Sequence, residues 1–67
     1  MIIKINNQES NFLDVQNLEA LLKQLSLRSL DGIAIAVNDN IVLKKDWGVF
    51  KLKEKDSVLI VNATQGG

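Results

Sequence analysis

Asn17-Leu18-Glu19-Ala20-Leu21-Leu22-Lys23-Gln24-Leu25 is the stretch that decides the fold. Leu18, Leu21, Leu22 and Leu25 fall at i, i+3, i+4 and i+7, the spacing of one face of an α-helix. Asn17 is a good N-cap, because its short side chain can accept from an orphan N–H of the first turn. Glu19 follows in that turn, where the helix dipole favours an anion. Lys23 and Gln24 lie on the opposite, wet side. The pattern ends near Ser26, and residues 27–32 read as a connection. A helix with one apolar stripe must bury it against another element, and its flanks supply strands.

Upstream, Met1-Ile2-Ile3-Lys4-Ile5 is β-branched, with Ile3 and Ile5 at period two. Asn6-Asn7 can take the positive φ angles of a tight turn. A second strand over residues 9–13 would close a hairpin, with Phe12 as a core candidate. Downstream, Gly32 opens Ile33-Ala34-Ile35-Ala36-Val37, in which large and small apolar residues alternate. Asn38-Asp39-Asn40 is a turn and residues 41–43 return. Residues 44–55, punctuated by Trp47, Val49, Phe50 and Leu52, read as a loop with a turn of helix that tucks its aromatics under the sheet. Lys55-Asp56 turns into a last strand over residues 57–63. The order β-β-α-β-β-β predicts an α+β roll: a mixed sheet with one helix packed across it and the first and last strands parallel at its centre. That is the β-grasp, or ubiquitin-like, architecture. Residues 1–63 form the domain, and residues 64–67 a flexible tail.

Composition narrows the function. The chain has 67 residues, 46% of them hydrophobic, with eight basic side chains against eight acidic. That is one small domain, whose core is thin because a chain of about 60 residues buries only about 60% of its unfolded surface. Zero net charge gives no pull towards nucleic acid or an anionic membrane. Ile33–Val37, the longest apolar run, falls far short of the ~20 residues a membrane span needs, and no signal segment opens the chain. The expected compartment is the cytoplasm, and the expected free state a monomer. Cysteine, histidine and tyrosine are absent, which removes disulfides, thiolate nucleophiles, the commonest general base and the commonest metal ligands. A chain this small is not expected to enclose a typical pocket of ~300 Å³ or more. No catalytic residue, metal site or bound cofactor is expected; a binding, carrier or structural role is.

The chemistry is carried by the closing Gly66-Gly67. At ~7% average usage, two glycines end a chain by chance about once in 200. Glycine has no Cβ, so two in a row let a backbone enter a narrow channel. Residues 64–67 can extend up to about 14 Å. The α-carboxylate of Gly67, ionised at neutral pH, can attack the α-phosphate of ATP, and a sulfur or amine nucleophile can then displace the adenylate. On this reading Gly67 is the reacting residue, and Gln65 and Gly66 thread the tail into the enzyme that acts on it.

Ile35-Ala36-Val37-Asn38, then Ile41-Val42, Trp47, Leu52, Asp56 and the closing Gly66-Gly67 resemble the ThiS family of bacterial sulfur carriers in thiamine biosynthesis, over essentially the whole chain. One departure is Lys55, where the family usually has glycine before the aspartate, so the shape of that turn is in question. The resemblance implies a cycle. A ThiF-like adenylating enzyme, using ATP and magnesium, would activate Gly67. Sulfur relayed as a persulfide from a cysteine desulfurase would convert the carboxylate to a thiocarboxylate. Thiazole synthase (ThiG) would accept that sulfur. A cousin reading is the small subunit of molybdopterin synthase, and a different class is a non-covalent β-grasp adaptor with incidental terminal glycines.

Other candidates weigh less. Trp47 is either an interface anchor or a core residue; with three aromatics in the chain, the core reading is preferred. The lysines at 44, 45, 51, 53 and 55 are interleaved with acids and read as a solvated face. Asp14, Asp31 and Asp39 sit near turns for backbone reasons. In Val58-Leu59-Ile60-Val61 both parities are apolar, yet one helix covers one face of a sheet. If Val58 and Ile60 face the helix, Leu59 and Val61 face out beside Ala34 and Ala36. Such a patch marks a partner-binding face.

Overall fold

In the computed structural model, which describes residues 1–27 and 31–62, the leucine stripe forms helix α1, Leu18–Gln24. Around it lie β1 (Ile2–Ile5), β2 (Gln8–Asn11), β3 (Ile33–Val37), β4 (Asn40–Val42) and β5 (Ser57–Asn62). A single 3-10 turn, Lys44–Asp46, follows β4. The five strands form one sheet in the order β2-β1-β5-β3-β4. β1 and β5 run parallel, with Lys4 beside Ser57 and Ile5 beside Val58, while β3 is antiparallel to both β4 and β5. This is the expected β-grasp arrangement. The second strand, expected over residues 9–13, occupies Gln8–Asn11 instead, and the returning strand starts at Asn40 rather than 41. Both shifts have one cause: each turn uses only two residues. Asn6 and Asn7 have φ of 48° and 71°, and Asn38 and Asp39 of 51° and 71°, the paired positive φ of a type I′ turn. The last strand stops at Asn62, and Ala63 lies outside the described residues.

The core sits between the helix and one sheet face. Leu18, Leu21 and Leu22 are buried, together with Ile3, Ile35, Val37 and Val58 from three strands. Leu25, Ile5, Phe12 and Ile60 pack against this cluster half-buried. Trp47 is buried as well, its Nε1 donating to the Val42 carbonyl at 3.0 Å. It is therefore a core residue and is not available as an interface anchor.

The loop after β4 does more than cover the core, because it caps the helix. The first N–H groups of a helix have no partner within it. Leu18 N donates to Phe50 O (2.9 Å), Glu19 N to Trp47 O (3.1 Å) and Ala20 N to Asn17 Oδ1 (2.8 Å). Asn17 Nδ2 returns a bond to Gly48 O. At the other end the chain leaves the helix through Ser26, whose φ is 55°.

Lys55 has φ of 69°, the conformation glycine tolerates without a Cβ penalty. The turn thus keeps a geometry suited to glycine even with lysine there. Lys55 N donates to Ile2 O at 2.7 Å, and Asp56 N to Lys53 O at 3.1 Å. A left-handed residue costs an L-amino acid roughly 1–2 kcal/mol, partly offset by the greater unfolded-state freedom of glycine. Lys55→Gly should therefore stabilise the domain by about 1 kcal/mol in urea denaturation. Leu22→Ala should cost about 2–5 kcal/mol in the same assay; a loss below 1 kcal/mol would show that the leucine stripe is not the main packing face.

Candidate functional site

Strand β5 is the root of the proposed tail, and it is held from both sides. β3 pairs with it from Val58 to Asn62, so Ile33 stands beside Asn62 and Ala34 beside Val61. On its other side β1 ends at Ile5, and the next residue takes over. Asn6 N donates to Val58 O (2.9 Å), and Asn6 Oδ1 accepts from Ile60 N (2.8 Å). The asparagine side chain supplies an acceptor where the main chain has turned away into the hairpin. Gln65, Gly66 and Gly67, the residues assigned to threading and reaction, lie outside the described residues, as do Ala63 and Thr64.

The sheet face away from the helix follows from the register. Side chains alternate across a strand, so the burial of Ile35, Val37 and Val58 turns Ala34, Ala36, Leu59 and Val61 the other way. Ala36 lies beside Leu59 on one flank and beside Ile41 of β4 on the other, and Ala34 lies beside Val61. Leu59 is 49% exposed, Val61 46% and Ile41 68%, while the two alanines are half-buried. Leu43, just past β4, is exposed too. Ile41 and Leu43 were missed in the sequence because residues 41–43 read there only as a returning strand. The signal was their shared parity, opposite to buried Val42. Towards β1 and β2 the same face becomes polar, with Ser57, Lys4 and Glu9 in register.

Little elsewhere resembles a reaction site. Among the described residues no cluster of acids could hold a metal ion. An open groove of about 570 Å³ lies at the end of the sheet where β1 begins, lined by Met1, Val15, Asn17, Val49, Lys51 and Leu52 among others. Asn17 in its wall is already committed to capping the helix. The lysine-rich segment carries exposed ion pairs, Lys44 to Asp31 at 3.7 Å and Lys45 to Asp46 at 3.4 Å, which at such exposure contribute little to stability. Asp14 and Asp39 occupy turns at positive φ, as their backbone role requires. No helix among the described residues is long and apolar enough to cross a membrane.

The ThiS family model matches residues 3–67, all but the first two positions. The chain belongs to the ThiS family. Its fold matches the crystal structure of the thiamine biosynthesis protein ThiS from Geobacter metallireducens with a TM-score of 0.86, covering 100% of both chains at 19% identity. The solution structure of a thiamine biosynthesis protein from Geobacter metallireducens matches with a TM-score of 0.77, covering 100% of this chain and 88% of that one, also at 19% identity. Comparison with curated protein sequences finds no match. ThiS membership supports a sulfur-carrier role, that of a small protein carrier rather than a catalyst. It also implies dealings with adenylating and sulfur-transfer machinery in general.

The two faces of β5 should respond differently to charge. Leu59→Asp changes a half-exposed outer position and should cost about 1 kcal/mol or less, mostly through poor strand propensity. Val58→Asp places an unpaired carboxylate at a position 1% exposed and should leave the domain unfolded at 25 °C. Circular dichroism melts of the two variants check the pair; equal destabilisation would mean that the outer face is not free.

Proposed function

We propose that this chain carries sulfur for thiazole formation in thiamine biosynthesis, as a thiocarboxylate on Gly67. The observation that carries the reading is the ThiS family match, which spans residues 3–67 and so includes the diglycine. Residues 1–63 act as the recognition body and residues 64–67 as the handle.

The chemistry needs no side chain of this domain. A carboxylate oxygen of Gly67 attacks the α-phosphate of ATP in a ThiF-like enzyme, which holds the magnesium, and pyrophosphate leaves. A persulfide sulfur, relayed from a cysteine desulfurase, attacks the acyl carbon and AMP leaves. Reductive cleavage of the resulting acyl disulfide by a thiol frees the thiocarboxylate, which then gives its sulfur to a thiazole synthase. Because the sequence has no cysteine, sulfur has no side chain to ride on, and the C-terminal acyl group is the position left for it. The cycle is cytoplasmic, where ATP and reduced thiols are supplied. Leu59, Val61, Ala34 and Ala36 form the partner-binding face, and Ile41 extends it.

The test is intact-mass analysis after incubation with the adenylating enzyme, ATP, magnesium and a persulfide donor. The chain should gain the mass of one oxygen-to-sulfur exchange, localised to its C-terminal fragment and dependent on ATP. Deleting Gly67 withdraws the carboxylate by about 3.5 Å, and an error of only ~1 Å at a reacting centre can cost about 10²-fold. A residue added after Gly67 should be equally damaging, and Gly66→Val should fail through a Cβ clash while the domain stays folded. A tail-deleted chain that still supports thiazole formation would refute the carrier reading and leave the adaptor.

A further inference from the structure

β1 ends well before the strand that leads to the tail does. Its register with β5 stops where Ile5 stands beside Val58, while β5 continues to Asn62. Asn6 carries the pairing further. Lys4 N donates to Asp56 O and Asn6 N to Val58 O, both at 2.9 Å, as in an evenly spaced parallel ladder. The next bond in that ladder would run from Ile60 N to the main-chain carbonyl of residue 6. Asn6 has φ of 48°, however, and its main chain swings away into the β1–β2 turn. Its side-chain Oδ1 takes the bond instead, accepting from Ile60 N at 2.8 Å. One amide side chain thus extends the parallel ladder by a rung beyond the end of β1.

Stability alone explains this rung poorly. Asn6 is exposed, and an N–H released at the surface is hydrated at little net cost. What water does not supply is direction. β5 lies between β1 and β3, and its register with β3 runs on through Ile60 to Asn62. With Asn6 in place, the strand is held from both sides at Ile60. Without it, that residue is held through β3, and strands paired on one side twist more strongly than strands inside a sheet. Ile60 lies two residues before Asn62, where β5 gives way to residues 63–67. On the carrier reading, on which this inference rests, Gly67 has to meet an ATP α-phosphate fixed in another protein. Misplacement of only ~1 Å at a reacting centre can cost about 10²-fold. We propose that Asn6 is a positioning residue for tail activation, its side-chain carbonyl holding Ile60 N and so fixing the direction in which β5 delivers the tail to the adenylating enzyme.

Two substitutions separate the acceptor from the turn. Asn6→Gly deletes the acceptor and keeps the positive φ; Asn6→Asp keeps both, since a carboxylate oxygen can accept from Ile60 N and aspartate tolerates the same turn. The rate of ATP–pyrophosphate exchange by the adenylating enzyme is measured against the concentration of the whole carrier chain. Asn6→Gly should lower kcat by about tenfold or more while KM stays within about twofold, and Asn6→Asp should restore kcat. Lost stability reads differently. The carrier is the varied substrate, so an unfolded fraction only dilutes it, raising the apparent KM and leaving kcat. Leu22→Ala, which weakens the core, should at most raise the apparent KM. A folded Asn6→Gly chain with wild-type kcat overturns the proposal, and so does a loss of kcat that Asn6→Asp does not restore. Should Asn6→Gly not fold, an amide-to-ester exchange at Ile60, made by chemical synthesis, removes the donor and decides by the same kcat criterion. Failure of that chain to fold as well assigns the bond to stability and overturns the proposal. A wild-type chain that supports no exchange at all fails the carrier reading and this inference with it. Exchange by the wild type beside an unchanged kcat in Asn6→Gly fails this inference alone.

Discussion

The buried carboxylate of Asp56 ties together the parts of the chain that the β-grasp must bring to one place. It is only 6% exposed. One oxygen accepts from Asn38 Nδ2 at 3.0 Å, at the β3–β4 turn, and the other from Lys53 N at 2.8 Å, in the loop before β5. Its carbonyl accepts from Lys4 N at 2.9 Å, in the neighbouring parallel strand. Asn38 answers with its own side-chain oxygen, taking Ser57 N at 3.0 Å, and its backbone N donates to Ser57 O. A parallel pair cannot be closed by a short hairpin and needs some other device to set its register. Here β1 meets β5 where β5 begins: the carboxylate, bonded to one backbone N–H and one side-chain amide, fixes the turn whose main-chain carbonyl at Asp56 takes Lys4 N of β1. A hydrogen bond to a charged group contributes roughly 1.5–3 kcal/mol, and a donor left unpaired in a buried site costs comparably. The position is therefore structural in its whole effect, although it belongs to the stretch by which the family is recognised.

The same logic joins the helix to the loop. A seven-residue helix is too short to be stable alone in water. It is held by three buried leucines below and by the carbonyls of Trp47 and Phe50 at its N-terminus. Burying Trp47 and capping the helix are thus a single event, since the chain that carries the ring also carries the acceptor. Residues 44–52 have no regular structure beyond one 3-10 turn, yet they close both the bottom of the core and the open end of the helix.

How much of this was legible in the sequence depends on the range of the interaction. The leucine stripe, the Asn17 cap and the Asn-rich turns act over a few residues, and the sequence states them directly. The polar strand Gln8–Asn11, exposed along its whole length, has no alternation to read; pairing with β1 and a two-residue turn decide it. Lys55 in a left-handed conformation is illegible for the opposite reason, because local preference opposes it and the bonds of Asp56 and Lys55 N prevail. Asp56 itself reads as one more turn residue until the fold surrounds it. The outer face was half legible: Leu59 and Val61 follow from double parity within one strand, whereas Ile41 joins them only through its register with Ala36.

The diglycine is a different kind of information, since the chemistry proposed for it needs a reachable carboxylate and no side chain. That separation explains the composition. A domain that supplies only recognition can be built without histidine or cysteine, and with its sole buried acid spent on architecture. What it must supply is a rigid root for the tail and a surface beside it. On the proposed function β5 meets both needs at once: its inner parity, Val58 and Ile60, belongs to the core, and its outer parity, Leu59 and Val61, is exposed on the face proposed for a partner. Any force a partner applies to the outer side chains is borne by the strand that leads to the tail, and that strand is braced by β3 along its length and by Asn6 at Ile60. On the proposed function, recognition and delivery therefore share one element, braced by the sheet as far as Asn62.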